Sequence, residues 1–135
     1  MAELNLEIVT PDKPIFNEVI ESVTVPGTMG SFQILKNHAS LISTFDVGVL
    51  TIKSGSEPAY FSTSGGTIEV NDNKVLVLAD SIEPIDQIDV DRAEKAKERA
   101  EGRLKRKHEK DMDEERIVAA LKRAINRLSV KEKYS

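Results

Sequence analysis

The sequence predicts an α+β protein: an N-terminal antiparallel β-sandwich over residues 1–85 and a C-terminal antiparallel two-helix hairpin over residues 86–135. Three observations predict it. Short runs of period-two alternation, broken by turn residues at roughly 8–12-residue spacing, fill the first part. Near Ile85 the apolar period lengthens to that of a helix. The charge changes sign at the same place. Residues 1–87 hold 4 Lys/Arg against 12 Asp/Glu, a net of −8, and residues 88–135 hold 15 against 11, a net of +4. An acidic β body with a basic helical appendage reads as an anchor with a movable arm, not as an enzyme built around one pocket.

The strands follow in order. Leu4, Leu6 and Ile8 alternate with Asn5 and Glu7, the mark of a half-buried strand. Thr10-Pro-Asp-Lys-Pro14 is a turn, because each proline fixes φ and removes a ladder donor. Glu21-Ser-Val-Thr-Val25 is a second strand, stopped by Pro26-Gly27. Ser31-Phe-Gln-Ile34, Leu41-Ile-Ser-Thr-Phe45, Gly48-Val-Leu-Thr-Ile-Lys53 and Pro58-Ala-Tyr-Phe-Ser62 continue the pattern. Thr67-Ile-Glu-Val70 and Lys74-Val-Leu-Val-Leu-Ala79 flank Asn71-Asp-Asn73, a tight hairpin connection of residues that tolerate left-handed backbone. The expected core is Val23, Val25, Phe32, Ile34, Leu50, Ile52, Phe61, Ile68, Val70, Val75 and Val77.

Two helices follow. Asp89 is placed to N-cap the first. Ala93, Ala96, Ala100 and Leu104 form its apolar stripe, narrow and mostly alanine, and Gly102 weakens it by about 1 kcal/mol. The helix is expected to end around Lys110-Asp-Met-Asp113, with Asp111 and Glu114 as a capping box for the second. Ile117, Leu121, Ala124, Ile125 and Leu128 share a face of that second helix. Both stripes are apolar enough to hold a partner and too weak to hold alone, so the hairpin is able to open.

Composition narrows the function. No Trp and six other aromatics leave little to line a large ligand cavity, and the absence of cysteine removes disulfides, thiolate nucleophiles and thiolate metal sites. No apolar run reaches the roughly 18 residues of a membrane span, and the N-terminus lacks signal-peptide character. The chain reads as soluble or peripheral to something larger, and its acidity argues against nucleic acid as a partner. No catalytic or metal-binding set emerges: His38 and His108 are the only histidines, and neither has a triad or ligand signature. His38 reads as structural or surface. Ser64-Gly65-Gly66 is too short to cradle a triphosphate and serves a turn or bulge.

The arginines admit two readings. In a hairpin folding back near Asp111, Arg92 comes level with Arg127 and Arg99 with Arg123. Up to four guanidiniums then converge on one anion, for which phosphate oxygens are suited. Alternatively they pair with Glu83, Asp89, Glu94 and Glu98.

Val25-Pro-Gly-Thr-Met-Gly-Ser-Phe-Gln-Ile-Leu-Lys-Asn-His-Ala39, with Ser64-Gly-Gly-Thr-Ile-Glu-Val70 and Val77-Leu-Ala79, resembles the epsilon subunit of bacterial rotary ATP synthases. The resemblance covers nearly the whole chain; Ser40 departs from it where a proline often follows His-Ala. It implies a non-catalytic rotor subunit of a proton-translocating synthase, peripheral to the membrane on its cytoplasmic face. The sandwich would grip the gamma subunit and rest on the c-subunit ring, with the loop from Gly27 to His38 nearest the ring. The basic arm would reach among the alpha and beta subunits and restrain ATP hydrolysis.

A bacillus subset of that family binds ATP on the folded-down hairpin through Ile-Asp-x-x-Arg-Ala and a pair of arginines four apart. Ile88-Asp-Val-Asp-Arg-Ala93 and Arg123-Ala-Ile-Asn-Arg127 match it. The resemblance therefore implies a regulatory ATP site of Glu83, Ile88, Asp89, Arg92, Ala93, Arg99, Arg123 and Arg127, with Arg92, Arg123 and Arg127 on phosphates and Glu83 and Asp89 toward the adenine or the arginines. The competing reading is a free-standing interaction module whose basic arm binds an unrelated acidic partner.

Overall fold

A computed structural model describes residues 3–106 and 113–135. Two compact units make up the chain, Met1–Pro84 and Ile85–Ser135.

The first unit holds ten strands: β1 (Leu4–Val9), β2 (Pro14–Ile20), β3 (Ser22–Val25), β4 (Phe32–Leu35), β5 (Leu41–Phe45), β6 (Gly48–Lys53), β7 (Pro58–Thr63), β8 (Gly66–Asn71), β9 (Lys74–Ala79) and β10 (Ile82–Pro84). They form two five-stranded sheets, ordered β2-β1-β9-β8-β5 and β10-β7-β6-β3-β4. Leu6, Ile8, Val23, Val25, Ile34, Leu50, Ile68 and Val77 are sealed from solvent between them. The Phe16 ring meets Phe61 edge-on at 6.4 Å, a favoured aromatic geometry.

Of the expected core, only Phe32 is half-exposed, packed against the cluster from its rim. Leu4, Leu6 and Ile8, the alternating apolar side of the expected first strand, join the core, and so do Ile20, Phe45, Ala79 and Ile82. The sandwich also departs from a fully antiparallel plan, because β1 runs parallel to β9, from Asn5↔Lys74 to Val9↔Leu78. That register sets Leu6 beside Val75 and Ile8 beside Val77, so both inner rows stay aligned.

The turns behave as their residues require. Asp72 and Asn73 both take positive φ, 47° and 61°, the pattern of a two-residue turn between twisted antiparallel strands. The Asn73 side chain then clamps the β4–β5 loop. Its Oδ1 accepts from the Asn37 N–H at 2.6 Å, and its Nδ2 donates to Asn37 Oδ1 at 3.2 Å. The glycine pair is structural: Gly65 turns the chain at φ 111°, and a Cβ on Gly66 would lie 2.1 Å from the Leu78 carbonyl oxygen.

The second unit opens with a 3-10 turn, Ile85–Gln87, and continues as α1 (Val90–Lys105) and α2 (Glu114–Tyr134). α1 ends earlier than expected, where the Arg106 N–H closes onto Arg103 O at 3.1 Å, a tightened last turn. Asp113, not Asp111, caps α2, accepting from the Arg116 N–H at 3.2 Å. Asp111, His108 and the expected stop after Lys110 fall outside the described residues.

Candidate functional site

The site begins where the chain enters α1. The Ile88 N–H donates to Ile85 O at 3.3 Å, closing the 3-10 turn and burying Ile88. The next residue, Asp89, has extended backbone, and its carboxylate accepts the Arg92 N–H at 3.0 Å. Asp89 is thus the N-cap that its position predicts, at the positive end of the helix dipole. Asp89 and Arg92 are exposed, whereas Ala93 is buried.

The register of the hairpin follows from what it buries. Ala93 and Ala100 of α1 are buried, seven residues apart, and so are Ala124 and Ile117 of α2. Setting Ala93 against Ala124 and Ala100 against Ile117 runs the helices antiparallel. The same register brings Lys131 level with the turn before α1, where its Nζ donates to Ile85 O at 3.0 Å. Ala96 and Leu104, expected in the seam, are half-buried at its edge, and Ile125 is 45% exposed. The alanines let the helices approach closely, yet each methyl contributes only about 0.8 kcal/mol on burial.

This seam sets the arginines. Arg92, Arg99 and Arg123 each stand one residue before a buried alanine, and Arg127 stands three after Ala124. One residue is about 100° of helix rotation. A two-fold axis perpendicular to both helices relates an antiparallel pair, so equal offsets fall on the same side. All four arginines therefore lie on one side of the hairpin. The register differs from the expected one: Arg92 falls between Arg123 and Arg127, about 3 Å along the axis from each, and Arg99 lies about 10 Å beyond Arg92. Arg92 with Arg123 and Arg127 make the compact group, and Arg99 flanks it.

Glu94 stands one residue after Ala93 and therefore on the opposite side. No acidic residue sits three or four positions from Arg99, Arg123 or Arg127 on its own helix. Arg123 and Arg127 stand at i, i+4 on α2 and so share one face of it. Glu83 belongs to β10 in the sandwich unit, where it is half-buried, whereas Asp89, Arg92, Arg123 and Arg127 belong to the hairpin.

The same offsets recur toward the turn, at Arg103, three after Ala100, and Arg116, one before Ile117. Sequence reading passed over both, although the repeated offset was there to find. A shallow depression elsewhere on α2 is lined by Glu114, Glu115, Val118, Ala119 and Lys122, and its two carboxylates do not suit an anion. His38 is a half-buried loop residue whose Nδ1 lies 2.7 Å from the Ala39 carbonyl oxygen. Among the described residues no cluster of His, Cys, Asp or Glu suits a metal ion, and no helix is long and apolar enough to cross a membrane.

Fold and site together define a β-sandwich chain carrying a thinly seamed hairpin with guanidinium groups along one side. Its relatives have the same two parts. The family profile described as ATP synthase, Delta/Epsilon chain, beta-sandwich domain matches residues 3–85. The profile described as ATP synthase, Delta/Epsilon chain, long alpha-helix domain matches residues 86–132. The chain belongs to the ATP synthase delta/epsilon chain family. It is 46% identical over 128 residues to the ATP synthase epsilon chain of Nitratidesulfovibrio vulgaris, covering 95% of each chain. It is 44% identical over 127 residues to that of Desulforamulus reducens, covering 94% of this chain and 96% of the relative. Among solved structures, a chain of the Euglena gracilis mitochondrial ATP synthase, OSCP/F1/c-ring in rotational state 1, superposes with a TM-score of 0.73 at 23% identity, covering 90% of this chain and 77% of that one. A chain from the Tetrahymena thermophila mitochondrial ATP synthase central stalk and c-ring gives 0.58 at 19% identity, covering 64% and 69%. At these identities the likeness to the solved structures is one of fold.

Proposed function

We propose that this chain is the epsilon subunit of a proton-translocating ATP synthase, a central-stalk rotor subunit with no active site of its own. The sandwich grips the gamma subunit and rests on the c-subunit ring, at the cytoplasmic face of the membrane. Met29, 98% exposed at the tip of the loop after Pro26, offers an apolar contact on the ring-facing end. The hairpin is the regulatory part. Released, its basic arm extends among the alpha and beta subunits, where a net +4 suits acidic surfaces, and restrains ATP hydrolysis. Closed, it binds ATP as a regulatory ligand and not as a substrate.

The grouping of Arg92, Arg123 and Arg127 on one side, beside the Asp89 cap, carries the regulatory part of this reading. Their guanidinium forks hold phosphate oxygens, and Arg99 flanks them. Ile88 and Ala93, both buried, fix the helix start from which Asp89 and Arg92 project. Glu83 enters on the family resemblance alone. Because the arginines come from both helices, ATP binds the closed hairpin better than the open one, and a ligand shifts a two-state balance only through such a difference.

Calorimetric titration of the full chain with ATP, and with ADP as control, tests this. Saturable, ATP-preferring binding is expected, weakened roughly 10- to 100-fold by Arg92→Ala or Arg127→Ala through loss of one charge-assisted contact. No heat of binding up to millimolar ATP would remove the nucleotide from the mechanism.

A further inference from the structure

We infer that Lys131 is a latch, a positioning residue that holds α2 closed on the turn preceding α1 and so keeps the candidate nucleotide site assembled; the inference rests on the regulatory reading above. Lys131 Nζ donates to Ile85 O at 3.0 Å in a part-buried bond that spans 46 residues of chain. The same oxygen accepts the Ile88 N–H at 3.3 Å. One carbonyl therefore closes the turn that delivers Ile88 and Asp89 to the site and also receives the last turns of α2.

Chemistry favours this bond in the closed form. An ammonium donor makes a stronger hydrogen bond than a neutral one, and a cation near a helix C-terminus is favoured by the dipole. Lys133, two residues on, sits instead over its neighbour Tyr134, 5.3 Å from the ring centre. When α2 leaves α1, Lys131 has to return to water, and the Ile85 carbonyl keeps only its 3-10 bond. Opening of the arm is thereby coupled to loosening of the turn under Asp89. Arg123 and Arg127 leave on the same helix, so the latch and the arginine group release together.

The test uses the full chain without nucleotide. Nitroxide labels go on Glu94→Cys and Ser129→Cys, exposed positions away from the arginine side in a chain without native cysteine. Lys131→Met keeps the apolar stem and removes the donor. It should raise the open-to-closed ratio read from the label distances by about tenfold, the weight of a charged hydrogen bond, and speed hydrogen exchange at the Ile88 amide similarly. Lys131→Arg keeps a donor and returns both readings toward wild type, while Lys122→Met removes an exposed charge of the same helix and leaves both unchanged. Wild-type distances and wild-type Ile88 exchange in Lys131→Met would overturn the latch. Both readings are taken without ATP, so failure of the latch and failure of nucleotide binding are separate results.

Discussion

Replacing Ala124 by leucine should prise the hairpin open. Ala124 is 2% exposed and stands opposite Ala93 in the register set by the buried residues. Leucine adds three carbons where the helices approach through methyl groups, and overpacking of this kind costs about 1–3 kcal/mol. Released into the hairpin equilibrium, that is roughly a 5- to 150-fold shift toward the open form. The sandwich, a separate compact unit with its own core, should keep its stability. The label pair at positions 94 and 129 reads the shift directly as a longer-distance population. ATP affinity should fall in parallel, because the apparent Kd rises as the inverse of the closed fraction. Ala119→Leu, on an exposed face of α2, adds the same side chain without a seam to disturb and should leave both readings unchanged. A closed, ATP-competent Ala124→Leu hairpin would mean that Ala124 does not lie in the seam and that the arginine grouping derived from it is wrong.

Three further outcomes follow from the geometry. Asp89→Ala removes the carboxylate that accepts the Arg92 N–H at 3.0 Å and should destabilise α1 by about 1 kcal/mol, read as faster amide exchange over its first turn with the sandwich unaffected. Gly66→Ala places a methyl 2.1 Å from the Leu78 carbonyl oxygen; β8 and β9 must separate, and thermal melting should show a loss of at least about 3 kcal/mol. Leu6→Ala, at a fully buried position in β1, should cost about 2–5 kcal/mol in the sandwich transition while leaving the hairpin distances at wild type.

What the sequence reveals depends on which physical signal an element carries. Strands with one buried face, such as β6, β8 and β9, announce themselves by alternation, and the Asp72-Asn73 turn by residues that accept positive φ. β2 carried no such signal. It is an edge strand that starts on Pro14 and exposes most of its length, which is where a strand tolerates proline. The three-residue β10 is too short to show a period. Alternation reveals which face a strand buries and is silent on direction, so the parallel pairing of β1 with β9 was not legible. The N-cap at Asp89 was readable because its chemistry is local. The cap at Asp113 was missed because the Asp111–Glu114 spacing fits a capping box and pointed two residues too early. The arginines were visible as a set, but their register depended on which alanines the fold buries. Lys131 was hidden because its partner, a backbone carbonyl 46 positions away, has no sequence signature.

In the proposed mechanism ATP holds this arm closed through arginines drawn from both helices. The most direct measurement is the distance distribution of labels at positions 94 and 129 in the assembled synthase, with and without ATP. The closed population should rise with ATP in the wild-type arm and stay flat when Arg92→Ala and Arg127→Ala are combined. An identical distribution with and without ATP in the wild-type arm would contradict ATP-driven closure and leave the hairpin governed by its protein contacts.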